Sequence, residues 1–213
     1  MDALGCARMS ASNAVPGFLP STHGLHFPNR FPSGPTVRLG PLDPRWIGIG
    51  DAANGLCGGM AWYVRERFEA GLPIPPDIEP PANGSALFGA LVRRQVQSLD
   101  WMRTPLGFWW IGAFGAERTV RRTRETEWPR IRADIDAGRL AMTGLVRHQG
   151  PNPLNLTRSH QVLGYGYEIE GEIITLRIYD PNWPNHDDVA VAIETDWIRQ
   201  STGEPLYGML RLA

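Results

Sequence analysis

Met60, Val64 and Phe68 recur at i, i+4 and i+8 with Ala61 beside them, while Arg65, Glu66, Arg67 and Glu69 face the other way. That period predicts an amphipathic helix over 57–70, stopped by Gly71 and Pro73. Residues 72–84 hold five prolines and read as a loop. Leu87, Phe88, Leu91, Val92 and Val96 form the stripe of a second helix over about 85–101, with Ser85 placed to cap it. Residues 103–124 look less regular and carry an aromatic knot at Phe108-Trp109-Trp110. A third helix is expected over about 127–137, with Thr126 as cap, Pro129 in the first turn and Gly138 at its end.

From residue 139 the pattern changes to strands, predicted at 140–147, 160–169, 173–180, 189–194 and 205–212, with a hairpin turn at Gly171-Glu172. Helices first and strands later is the order of an α+β domain with an antiparallel sheet. Residues 1–50 are rich in Gly, Pro, Ser and Asn, so little regular structure is expected there. Phe18, Leu25, Phe27 and Phe31 interrupt that composition. The expectation is an irregular arm over 1–50 packed on a domain spanning 51–213, with roughly the first ten residues mobile.

Composition narrows the function. The 213 residues carry 21 basic and 22 acidic groups, a net charge of −1, so no global positive field points to nucleic acid. No apolar run approaches the roughly 18 residues a membrane helix needs, and the N-terminus has no basic start followed by an apolar core. A cytoplasmic protein is therefore expected. All the basic residues are arginine, which excludes chemistry built on a lysine amine. Cys6 and Cys57 are too few for a disulfide framework or a four-cysteine zinc site.

Cys57 stands at the start of the first helix, in Asn54-Gly55-Leu56-Cys57-Gly58-Gly59-Met60. Unpaired N–H groups and the positive end of the helix dipole favour a thiolate there. The plainer reading is a small buried cysteine packing a helix end. His160 begins a strand, and Asp180 lies 20 residues on, at the end of the next strand. Val162, Gly164 and Gly166 share the parity of His160, so a helix could lie close on that face; if it is the Cys57 helix, the three groups converge. A tight two-residue turn would pair Leu163 with Asp180 and put His160 and Asp180 on opposite faces. Convergence of the two therefore requires a longer turn or a β-bulge, and that is the expectation.

Cysteine at a helix start, histidine on a strand, then Asp-Pro at the end of the next strand resembles the papain-like cysteine peptidases. It is most similar to bacterial bacteriocin-leader-cleaving peptidases and to related uncharacterised bacterial proteins. The resemblance covers roughly residues 50–70 and 158–183. It implies a papain-like α+β fold, a helical half carrying Cys57 packed on an antiparallel sheet. It implies Cys57 as nucleophile, His160 as base and then acid, and Asp180 orienting the imidazole, with Asn182 the alternative for that third role. The substrate implied is a peptide or small amide, and no cofactor or metal is. The family's oxyanion-hole glutamine, six residues before the cysteine, is replaced here by Asp51; Asn54 is the nearest amide that could serve.

Two other readings stand beside the hydrolase. One is a catalytically silent papain-like domain that binds a peptide or protein, which a buried Cys57 or one remote from His160 would favour. The other is an acyltransferase with a water-poor cleft. His23 and His26, and His186-Asp187-Asp188, lack a full metal shell and read as surface polar groups. His148 reads as a loop histidine. Arg118, Arg121, Arg122 and Arg124 are balanced by nearby acids and read as a salt-bridged surface. Trp109 and Trp110 read as core packing or as the wall of a cleft. Gly164-Tyr165-Gly166 lies within a strand and is no phosphate loop.

Overall fold

The computed structural model describes residues 10–31, 55–98, 103–113, 115–150, 152 and 158–212. Cys6, Asp51, Asn54 and the expected mobility of the first ten residues lie outside them.

The fold is mixed α+β, with several helices packed on a curled antiparallel sheet. The helix of the Met60 stripe forms as α2, Cys57–Glu69. Met60, Ala61 and Val64 on that stripe are fully buried, and burying a Met or Val side chain is worth about 1.5–3 kcal/mol. The second helix is α3, Ala86–Ser98, and Ser85 Oγ accepts the Phe88 N–H at 3.2 Å, which is the cap its sequence suggests. Gly59 sets how closely the two helices pack: a β-carbon there would stand 2.2 Å from the Leu91 carbonyl oxygen.

The arm is less irregular than its composition suggests. It contains β1, Ser10–Ala14, and a short helix α1, Pro20–His23. Val15, Phe18, Leu25, Phe27 and Phe31 belong to the main hydrophobic core. The region after residue 102 also differs from expectation. It forms α4, Arg103–Ala113, and α5, Ala116–Arg122, which runs through a π-helical turn, Thr123–Glu127, into α6, Trp128–Asp136. Thr126 is thus no cap. Pro129 has no N–H to give, and beside it the Trp128 N–H reaches back five residues to the Thr123 carbonyl.

The later strands are β2, Ala141–Val146; β3, His160–Glu170; β4, Ile173–Tyr179; β5, Ala190–Ile193; β6, Ile198–Gln200; and β7, Gly208–Arg211. Their order is β6-β5-β4-β3-β2-β7, and β1 pairs with the far half of β3. β6 was not foreseen.

The β3–β4 hairpin turns tightly, with Glu170 opposite Ile173 and Gly171 at φ 60°. The register then slips between Gly164 and Gly166, so that Leu163 faces Tyr179. Tyr165 is the extra residue of a β-bulge, and it sits where β3 changes neighbours from β2 to β1. The bulge restores His160 and Asp180 to one side of the sheet. The helix over Gly164 is α6, whose Ile131 methyl would lie 3.6 Å from a β-carbon at that glycine. The Cys57 helix instead meets β3 at Gln161, which corrects the expected packing. No helix among the described residues is long and apolar enough to cross a membrane.

Candidate active site

Cys57 is the first residue of α2, so the N–H groups of that turn have no carbonyl of their own helix to bind. The Gly59 N–H is taken by Gln95 Oε1 at 2.8 Å. The Gly58 and Gln161 backbone N–H groups donate to the Cys57 sulfur. Gly58 lets the neighbours close in: a β-carbon there would stand 2.4 Å from Ser98 Oγ and 2.7 Å from the Gln161 amide, and those side chains would have to move. On the Gly58 side, α2, α3 and β3 therefore fit tightly together. Cys57 is a free cysteine and a half-buried residue.

His160 Nε2 lies 2.6 Å from Asp180 Oδ1. That contact leaves Nδ1 for the hydrogen bond between the imidazole and Cys57. Asp180 is buried, and every contact it makes is with a donor. Besides His160, the Asn182 N–H reaches Oδ1 at 2.8 Å and Gln200 Nε2 reaches Oδ2 at 2.7 Å. Arg147 Nη2 stands 3.7 Å from Oδ2 and donates to Gln200 Oε1 at 2.8 Å.

These neighbours set the charges. Burial pushes the Cys57 thiol up, but the His160 imidazolium and the hydrogen bonds to sulfur bring it below the ordinary 9.0. Burial pushes His160 down, yet the Asp180 carboxylate and the Cys57 thiolate raise it to about 9. Burial raises Asp180 too, and His160 with its other donors holds it below the usual carboxylate value. The imidazolium and the carboxylate are charged at neutral pH, and their neighbour Cys57 ionises more readily than an isolated thiol. A thiolate of this kind is a nucleophile, and the imidazolium beside it holds a transferable proton.

Of the residues singled out in the sequence, Cys57, His160 and Asp180 come together. Asn182 does not take the third place: its side-chain Oδ1 accepts from Asn29 at 3.2 Å, and only its backbone N–H serves Asp180. Three supporting residues had gone unread. Asn29, in the arm, accepts the Leu56 N–H at 2.6 Å and gives its own N–H to the Pro181 carbonyl at 2.9 Å. It thereby ties the entry of α2 to the loop after β4. Gly55 permits this, since it has φ 86° and a β-carbon there would stand 2.6 Å from the Asn29 amide. Gln200 and Arg147 carried no local signal, because their role depends on strands distant in sequence.

The remaining candidates lie elsewhere. His23 accepts the Leu19 N–H, His26 pairs with Asn185, and His186 pairs with Asp188. Among the described residues no three such groups gather around a metal-sized space. His148 lies in the loop after β2 but is buried, with Nδ1 3.3 Å from Ser159 Oγ. Burial and the nearby Arg158 lower its pKa.

No protein-family model, no curated protein and no solved structure matches this chain.

Proposed function

We propose that the chain is a papain-like thiol hydrolase, a cysteine peptidase or amidase that works through an acyl-enzyme on Cys57. One observation carries the reading: His160, opening β3, lies 2.6 Å from Asp180, just after β4, and is coupled on its other side to Cys57 at the start of α2, whose thiol it holds below its ordinary pKa. The Cys57 thiolate attacks the carbonyl carbon of a peptide or amide, and the carbonyl oxygen takes up the negative charge. The Cys57 backbone N–H, at the start of α2, is a donor suited to that oxyanion. The amine leaves with the Nδ1 proton of His160, and a thioester remains on Cys57. Neutral His160 then takes a proton from water as the water attacks the thioester; the acid leaves and the thiolate returns. Asp180 keeps the imidazole in the tautomer and orientation that present Nδ1 to sulfur throughout.

A silent binding scaffold calls for a covered thiol or one apart from the histidine. A free Cys57 whose thiol is lowered by the adjacent His160 favours the hydrolase.

The test is the pH dependence of Cys57 alkylation by iodoacetamide on a Cys6→Ser background, with and without His160→Ala. The expected midpoint lies below 9.0 and rises when His160 is removed. An ordinary midpoint, unmoved by His160→Ala, would sink the proposal.

A further inference from the structure

A second concave region lies on the outer side of α4, against the π-helical turn and β7. It is an open concavity of about 690 Å³ and, among the described residues, shares none with the Cys57 site. That volume falls within the roughly 300–1,000 Å³ usual for small-molecule sites.

Its lining is uneven in charge. Arg103, Arg122, Arg130 and Arg211 contribute four guanidinium groups, against one carboxylate, Glu127. Glu127 is 3 % exposed and is engaged on both oxygens, by Arg122 Nη2 at 3.0 Å and by the Arg211 backbone N–H at 3.1 Å. Behind the wall, Arg211 is held by Asp134 at 2.9 Å. Arg130 meets Glu127 only at 3.9 Å. Among the described lining residues guanidinium groups outnumber carboxylates.

The apolar part has its own logic. Arg103, Leu106, Gly107 and Trp110 fall at i, i+3, i+4 and i+7 and share one face of α4. The opposite face buries Thr104, Phe108 and Ile111. Leu106 and Trp110 are left 53 % and 54 % exposed, beside the arginines. An exposed indole and a set of guanidinium forks match a ligand that is flat and apolar at one end and anionic at the other.

We propose that this cavity binds a small organic anion, a carboxylate or phosphate carried on a flat aromatic body. The anion pairs with Arg130 and its neighbours while the ring lies on Trp110. The concavity and its size favour a small molecule over an extended macromolecular surface. The site is independent of the thiol chemistry proposed above.

The test is calorimetric titration of the full chain with 1-naphthyl phosphate, 1-naphthoate and neutral 1-naphthol, at low and high salt. At least one of the anions is expected to bind about tenfold or more tighter than 1-naphthol, the worth of one charge-assisted hydrogen bond. High salt is expected to weaken the anions and leave 1-naphthol unchanged. The order of the two anions tells phosphate from carboxylate. Trp110→Ala and Arg130→Gln, at mostly exposed side chains, each weaken binding about fivefold or more by loss of a stacking or charged contact. Arg177→Gln, on the outer side of β4, changes nothing. Anions no tighter than 1-naphthol, no binding at all, or affinities unmoved in both cavity variants each overturn the proposal.

Discussion

Two buried carboxylate clusters sit on opposite parts of the sheet, and they do different work. Asp180, after β4, is surrounded by His160, Gln200, the Asn182 N–H and Arg147. Glu127 and Asp134, on the other side, are surrounded by Arg122, Arg139 and Arg211. Burial and donors act on Asp134 as they do on Asp180: burial raises it, and the Arg211 and Arg139 contacts more than offset that. The difference lies in what each cluster holds. The arginines around Glu127 and Asp134 stay charged at any accessible pH, so that cluster is a fixed tie between the π-helical turn, α6 and β7. Asp180 holds a histidine, whose charge can change within the accessible pH range as its pKa is raised to about 9, and the histidine stands beside a free thiol. The two buried carboxylate clusters therefore differ in whether the donors around them can change charge.

The contrast is broken most severely by His160→Ala. It is expected to reduce the proposed thiol-dependent hydrolysis by about 10²–10⁴-fold, measured as turnover of a peptide or amide that the native chain cleaves, with little loss of fold as judged by circular dichroism. Glu127→Gln is expected to do the reverse. It leaves Arg122 and the Arg211 N–H with a weaker acceptor and lowers stability by about 1–3 kcal/mol in urea unfolding, while the Cys57 alkylation midpoint stays where it was. A shifted midpoint in Glu127→Gln would erase the distinction between the clusters.

The pH response sharpens it further. His160 has a folded pKa raised above the ordinary 6.5, so its contribution to stability is complete below 6.5 and is lost as pH rises toward about 9. Cys57 is lowered, so its contribution is present above the ordinary 9.0 and is lost as pH falls through its folded value. The two slopes oppose each other between the folded value of Cys57 and about 9. In Cys57→Ser only the histidine slope remains, and the melting temperature is expected to fall more between pH 6.5 and 9 than in the native chain. Equal slopes would show that the thiol and imidazole titrate independently.

Gln200→Leu should have the smallest effect of the series. It removes one of the donors on Asp180 and leaves the others, so the alkylation midpoint rises by a fraction of a pH unit, with an activity loss of about threefold to tenfold from one hydrogen bond. A loss as large as that of His160→Ala would mean that Gln200 does more than position the carboxylate.

How much of this could be read beforehand differs by element. α2 and α3 stood out because their apolar stripes repeat every three to four residues and are stopped by glycine, proline or a capping serine. β3 and β4 stood out through β-branched and aromatic runs around Gly171. α4 did not, because Pro105, Gly107 and Gly112 and the aromatic run obscure its period, and its packing on β2 and β7 outweighs those propensities. β1 and β6 are short: β1 has no apolar alternation, and both depend on a partner strand for their extended form. Asn29, Arg147 and Gln200 give no local cue at all.

The sequence by itself determined which residues were available for chemistry: one thiol at a helix start, one histidine opening a strand, one aspartate closing the next. It also determined the α+β order, since apolar periodicity is a property of neighbouring residues. Only the tertiary structure decided that these three groups meet. A single extra residue at Tyr165 shifts the register of β3 against β4, and pairing parity, not composition, sets the face on which a side chain stands. The supports of Asp180 were decided in the same way, because Arg147 and Gln200 come from segments that approach one another only after the sheet has formed.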